Sequence, residues 1–408
     1  MKWNEAPFED IVSESAFGPR FSSECYDPNG NIATLRTTDI SNDGVISTCT
    51  MPLARIDADK FRSHFLKPGD LVISRSGRIG TTALFTGHHI PVLPGAFLIR
   101  FRLRKEQANP LFYKHYFNSK DGQQKLLSVA QGVAQQNINI TNVKKITIPI
   151  PPIKEQDAIA KIISSYENLI NTNQRRITLL EEAARLIYRE WFVHNRPPRH
   201  DATETKSKIP ETPNKIPISE IADFINGFAF KPEHQNPIGL PIVKIPELRD
   251  GISEKTPRNP GTNIPTKNHI TTGDIIFSWS ATLLVNEWAY GPALLNQHLF
   301  KVIPKKSSHK RFIRFSIEHA IPFLLGNSVG TTMQHIRRSS LDKYLINPPN
   351  DKIINKFASL VDPMIDLSLS LQTVNRQLAT ARDLLLPKLM SGQIDVSNIQ
   401  LPDEDVVT

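Results

Sequence analysis

One short segment of this chain carries residue types in an order that could act on a nucleobase: Asn347-Pro348-Pro349-Asn350. When a DNA base is methylated on its amino group, a tetrapeptide of this kind ends in an aromatic residue that stacks on the target. Here Asn350 stands in that place, and no glycine-rich cofactor segment comes before it. The segment reads better as a connector into a helix. Metal chemistry fares no better: His88-His89 and the isolated His194 and His200 have no partners at zinc-ligand spacing. The sequence holds no GxxxxGK[ST] phosphate loop, no GxGxxG after a strand and no GxSxG elbow. We therefore expect no catalytic, cofactor-binding or metal-binding residues in this chain.

Composition points instead to a binding protein. Lys and Arg number 49 against 40 Asp and Glu, a surplus of nine, and the pI is about 9.4. Such a surplus favours a polyanionic partner, most commonly nucleic acid. Cys25 and Cys49 are too few for a disulfide framework, which fits a reducing compartment. Met1-Lys2-Trp3-Asn4-Glu5 is not a secretory leader, and no run of about 18 apolar residues offers a membrane span. The expectation is a soluble, cytoplasmic protein of at least two domains, without membrane contact.

Those domains follow from a repeat. Adding 198 to residues 132–192 carries Gly132 onto Gly330, Gln136 onto Gln334, Ile148 onto Ile346, Lys154 onto Lys352, Leu169 onto Leu367 and Leu186 onto Leu384, with no gap. Upstream, Gly69-Asp70-Leu71-Val72-Ile73-Ser74 resembles Gly273-Asp274-Ile275-Ile276-Phe277-Ser278, Asp43-Gly44 pairs with Asp250-Gly251, and Gly18 pairs with Gly227. Each half has a divergent front and a better matched back.

Each back part predicts a long helix. Ile159, Ile162, Tyr166, Leu169, Asn173, Ile177, Leu180, Ala184, Ile187 and Trp191 recur at threes and fours, as do Ile353, Phe357, Leu360, Met364, Leu367, Leu371, Val374, Leu378, Ala381 and Leu385. Pro363 predicts a kink or a restart capped by Asp362; Pro387 should disturb the end, and Ser391-Gly392 the stop. Roughly 38 residues at 1.5 Å each make about 57 Å. Two such stripes predict an antiparallel coiled coil, with Asn173 setting its register. The fronts contain strands near Ile32–Leu35, Asp70–Ser74, Phe97–Phe101, Ile146–Ile148, Ile242–Val243, Ile275–Phe277 and Leu299–Val302, and helices near Leu111–Ser119 and Arg311–Leu325. Without regular βαβ spacing this is mixed α+β (α/β) rather than a doubly wound sheet.

The layout resembles the specificity subunits of Type I restriction-modification systems. The signatures are Ile150-Pro151-Pro152-Ile153-Lys154-Glu155-Gln156, the two Gly-Asp strands and Leu386-Pro387-Lys388-Leu389-Met390-Ser391-Gly392, in order along the whole chain. The second half departs at Asn350-Asp351-Lys352-Ile353-Ile354, where Pro-x-x-Glu-Gln is missing. The resemblance implies two target-recognition domains, 1–150 and 215–347, separated by two long antiparallel coiled-coil helices, 151–195 and 348–395, in a pseudo-two-fold repeat with a linker at 196–214 and a tail at 396–408. It implies that each domain reads part of a bipartite, asymmetric site in double-stranded DNA, and that the helices act as a spacer ruler of at most roughly 16 base pairs. The helices also dock two modification (methyltransferase) subunits, and two restriction (translocase/nuclease) subunits join. No cofactor is then needed in this chain: S-adenosylmethionine, ATP and Mg belong to the partner subunits.

For DNA contact we single out Arg75, Ser76 and Arg78 in a loop after a strand, then Arg36 and Gln135-Gln136-Asn137, since Arg can bond twice to guanine and Gln or Asn twice to adenine. The counterparts are Lys244, Trp279, Ser280, Gln334 and His335, with Arg337 and Arg338 as phosphate contacts. Two other functions remain open: a stand-alone adenine DNA methyltransferase, which would bind S-adenosylmethionine by itself, and a coiled-coil scaffold that touches no DNA, in which Arg75 or Gln334 would be dispensable for sequence selectivity.

Overall fold

The computed structural model describes residues 3–131, 137–198, 215–326, 338–397 and 399. Two compact units emerge, Met1–Asn168 with Ala379–Thr408, and Leu169–Leu378, so both divisions fall inside the long helices.

In the first unit an antiparallel sheet runs in the order Val12–Phe17, Leu98–Leu103, Leu71–Ser74, Thr82–Leu84. A second sheet orders Leu53–Ala54, Ile32–Leu35 and Val92–Pro94, the last two parallel. Asn4–Pro7 pairs with Thr147–Ile150. Strand Leu71–Ser74 is buried throughout because both of its faces are covered. Leu71 and Ile73 join a core with Phe8, Phe101 and Phe112, while Val72 faces Ala33, Phe85 and Leu98. Helices α1 (Pro110–Asn118), α2 (Lys120–Ser128) and α3 (Ile140–Lys144) follow.

The second unit repeats this plan. Its antiparallel sheet orders Ala222–Asn226, Leu299–Pro304, Ile275–Ser278 and Val285–Glu287. Its other sheet orders Arg258–Asn259, Leu240–Val243, Ala293–Leu295 and His269–Ile270, with the middle two parallel. Ile275 and Phe277 face one core and Ile276 another, the same alternation as before. The elements α5 (Ile245–Asp250), α6 (Lys310–Gly326) and α7 (Arg338–Lys343) accompany it. The fold is therefore mixed α+β and internally repeated.

The matched sequence pairs have physical causes. Gly69 and Gly273 enter the central strands at φ +95° and +92°, where a side chain would be strained. The next residues, Asp70 and Asp274, accept the N–H groups of Lys67 and Thr271, each at 2.8 Å. They also pair with Arg102 (2.8 Å) and Lys301 (2.9 Å) of the neighbouring strand. At Gly18 and Gly227 a Cβ would lie 2.0 Å from the Gly95 carbonyl and 2.2 Å from that of Asn296, so only glycine fits.

The long helices are α4 (Ile153–Tyr188), which passes into a π-helical turn at Arg189–Val193, and α8 (Asp351–Met390). Of the kink or restart expected at Pro363, the restart does not occur: α8 is continuous through it. Pro363 and Ser359 are both exposed, so the carbonyl that loses its partner faces water, and the expected cap Asp362 lies 3.8 Å from Arg311 instead. Pro387 is also inside α8; the stop is at Gly392, with φ +70°. Within the second unit α4 and α8 run antiparallel, as shown by contacts of Asn173 with Asn375 (3.0 Å) and of Glu181 with Ser368 (3.4 Å). Buried Asn173 thus has its specific amide partner, and Asn375 also donates to the Ile170 carbonyl. One part of the expected seam is corrected: Leu169, Leu360, Leu367 and Val374 are exposed. Phe357 is buried as expected, but Ile354, Val361, Ile365 and Leu369 turn inward in place of the others, because α8 also packs on Phe312 and Phe315 of α6. Arg314 of α6 bonds Glu181 (2.5 Å) and Arg311 bonds Asp366 (2.5 Å), which ties α6 to both helices.

The helix entries differ between halves. In the first, buried Gln156 accepts from Asn109 N–H (2.8 Å) and donates to the Gln107 (2.9 Å) and Pro151 (2.8 Å) carbonyls, while Glu155 accepts from Trp3 Nε1 (2.9 Å). In the second, the Asn350 side chain accepts from Ile353 N–H (3.0 Å) and Asp351 pairs with Lys306 (2.6 Å) and His309 (3.1 Å). Asn347-Pro348-Pro349-Asn350 is a strand-to-helix connector whose last residue caps α8. Among the described residues no helix is long and apolar enough to cross a membrane.

Candidate nucleic-acid interface

In the first unit, strands Ile32–Leu35 and Leu71–Ser74, of different sheets, lead into the loops beginning at Arg36 and Arg75, which Arg78 joins by bonds to Thr37 and Ile40. Arg75 is held on every side but one. Its backbone N–H donates to Phe97 O (2.9 Å) and its carbonyl accepts from Ile138 N–H (3.1 Å). Its Nε donates to Asn137 Oδ1 (2.9 Å), and its guanidinium lies 4.6 Å from the centre of the Phe17 ring. The structure thus brings together Arg75 and Asn137, which are 62 residues apart in sequence.

Arg78 is exposed but occupied. Its guanidinium donates to the Asn42 side chain and to the carbonyls of Thr37 (3.3 Å) and Ile40 (2.7 Å), which stitches the 36–42 loop to the 75–80 loop. Arg36 grips Asp39 through Nε (3.0 Å) and Nη2 (2.8 Å) and also reaches Thr50 O (2.8 Å). Burial opposes the charge on Asp39, yet the bonds from Arg36 bring its carboxyl below the ordinary range and raise the guanidinium. Arg36 also lines an open groove of about 600 Å³ together with Arg20, Phe21, Tyr26 and Phe97. Tyr26 and Phe97 are 44% and 55% exposed there, an unusual display of aromatic surface beside two cations.

The second unit builds the same frame from other side chains. Trp279 occupies the place of Arg75: its N–H donates to His298 O (3.4 Å), as that of Arg75 does to Phe97 O. Its Nε1 donates to Gln297 O (3.1 Å). Gly77 and Ala281, two residues after Arg75 and Trp279, both have positive φ, +73° and +56°, so the loops share their turn. Lys244 follows its strand as Arg36 does, and its N–H donates to Glu247 Oε2 (3.0 Å).

Ser76 and Ser280 correct an expectation. At 7% and 4% exposure they offer almost no surface to a duplex, and Ser280 Oγ sits 3.3 Å from His298 Nδ1. They belong to the turn and not to its outer surface. Gln135, Gln136, Gln334, His335 and Arg337 lie outside the described residues. Arg338 begins α7, and its side chain is not among those described. Sequence reasoning missed Arg20, Phe17, Asn42, Phe97 and His298. Of these only Phe97 stood in a recognised strand pattern, and no pattern marked it as outward-facing.

The model for the Type I restriction modification DNA specificity domain matches this chain twice, over residues 2–182 and 210–378. The chain belongs to that family. The Type I restriction enzyme MjaIX specificity subunit of Methanocaldococcus jannaschii is 25% identical over 311 residues, 70% of each chain. The HindI specificity subunit of Haemophilus influenzae is 21% identical across 96% of this chain and 99% of its own length. The crystal structure of a Type-I restriction-modification system S subunit from M. genitalium shares the fold at TM-score 0.63 and 16% identity, covering 95% of this chain and 96% of that one. The protein is accordingly a Type I specificity subunit, and the double match coincides with the duplicated sheets.

Proposed function

We propose that each half of this specificity subunit reads one part of a bipartite, asymmetric site in double-stranded DNA, through the loops that follow its two central strands. The observation that carries the reading is one loop frame built twice with different chemistry: Arg75 against Trp279, Arg36 against Lys244, Phe97 against His298. A kept backbone with exchanged side chains is what two reading heads for different base sequences require, since base-edge contacts carry sequence while phosphate contacts carry affinity. The net charge of +9 supports the phosphate term.

In this reading α4 and α8 serve as the spacer ruler and as the docking surface for two modification subunits. Leu360, Leu367 and Val374, exposed at seven-residue intervals on α8, support the docking role, because a heptad apolar stripe suits a partner helix. Two restriction subunits complete the complex. The chain itself is non-catalytic; S-adenosylmethionine, ATP and Mg act on the partner subunits. The test is to exchange residues 215–347 for those of another family member and to sequence the methylome of the host. One half-site should change and the other persist. Loss or retention of both half-sites would refute the modular reading.

A further inference from the structure

We infer that Arg75 is a specificity-determining residue that reads a guanine in the half-site of the first domain, and that the matching frame position of the second domain makes no equivalent demand. The inference rests on the proposed function and deepens it to one base. A guanidinium selects guanine by presenting two parallel N–H groups to O6 and N7 in the major groove, which works only if its plane is fixed beforehand. Arg75 meets that condition. Asn137 takes the Nε hydrogen at 2.9 Å and so consumes one edge of the fork. Phe17 lies beneath the plane at 4.6 Å and blocks rotation. The backbone is pinned from both sides by Phe97 and Ile138. What remains is the Nη1/Nη2 end, for which no partner is found among the described residues. That end belongs to a part-buried side chain near Gly77, above which a Cβ would meet nothing within 4 Å.

The other basic residues of this loop cluster differ in kind. Arg36 commits Nε and Nη2 to Asp39 and Thr50, and Arg78 commits Nη1 and Nη2 to Asn42, Thr37 and Ile40, so both spend fork nitrogens on shaping the loops, whereas Arg75 commits Nε alone. In the second unit the same frame position holds Trp279, which has a single donor, already directed to Gln297 O. It cannot form the two-bond contact, and Asn226 stands in the strand position of Phe17.

The experiment uses the full chain assembled with its modification subunits, acting on a randomised duplex library whose methylated members are sequenced. The wild type should select a motif with guanine at one position of the half-site that survives exchange of residues 215–347. Arg75→Lys keeps the charge but loses the fork. It should lower the preference for that guanine roughly 10- to 100-fold and leave every other position unchanged. Asn137→Ala, which frees the plane while keeping Arg75, should weaken the same preference by a smaller factor. Equal thermal midpoints for the variants and the wild type would assign these effects to recognition rather than folding. A motif unchanged in Arg75→Lys, or a uniform fall in methylation at all sites, would overturn the assignment of Arg75 alone. A wild-type complex that selects no two-part motif would overturn the proposed function, and the assignment with it.

Discussion

Replacing Gln156 by Ile, the residue that the second half places 198 positions later at Ile354, should unfold the first unit well below its normal temperature although Ile354 is itself fully buried. The reason lies in the partners. Gln156 satisfies one part-buried N–H, of Asn109, the buried carbonyl of Pro151 and the carbonyl of exposed Gln107. In the second unit the residue before α6, His309, has its N–H satisfied by Lys306 O at 3.0 Å, so an apolar side chain at the helix entry leaves that donor paired. An orphaned buried N–H costs about 1–3 kcal/mol and a carbonyl with a second lone pair somewhat less, and water can reach the Gln107 carbonyl, so the substitution should cost about 2–4 kcal/mol. For a unit of this size that lowers the thermal midpoint by about 4–16 °C. Scanning calorimetry on the full chain gives the shift, and amide hydrogen exchange gives the location: protection at Asn109 should fall first. A variant that melts within about 2 °C of the wild type, with the Asn109 amide still protected, would refute the idea that Pro-x-x-Glu-Gln is a hydrogen-bonded lock on the helix entry.

Asn375→Ala should cost about 1–3 kcal/mol in denaturant unfolding, because it leaves the buried Asn173 amide and the Ile170 carbonyl without their partner; a neutral result would remove the amide pair as a register device. Buried His115 should make the first unit sensitive to acid. Burial and the nearby Lys114 and Arg382 push its pKa down to about 3, and Glu167, 3.7 Å away, does not offset them. The folded form therefore binds the proton less readily than the unfolded chain, so this stability is complete above about pH 6.5 and is lost progressively as pH falls toward 3, by up to about 1.4 kcal/mol per pH unit. Urea midpoints of wild type and His115→Gln at pH 7.5 and 5.5 should converge at the lower pH, and parallel midpoints would contradict the assignment.

Much of this protein was legible before folding because it rests on local rules. Threes and fours in the apolar residues specify helices, short unbroken apolar runs around Val72 and Ile276 specify buried strands, and an offset of 198 exposes the duplication without any structure. The glycine pairs Gly69/Gly273 and Gly18/Gly227 were visible for the same reason: a backbone constraint leaves one residue type. The directions in which side chains point were not visible. Leu360, Leu367 and Val374 fit a heptad seam in sequence yet lie exposed, since α8 answers to α6 as well as to α4. Ser76 and Arg75 are neighbours of similar promise, but one is buried in the turn and the other is held by Asn137 and Phe17, which are remote in the chain. The sequence alone determined the elements and their repetition, because hydrophobic period and glycine act within a few residues. Which polar groups were left over to meet a ligand was decided only by the tertiary structure, because each hydrogen bond that occupies or frees a side chain is made by residues far away.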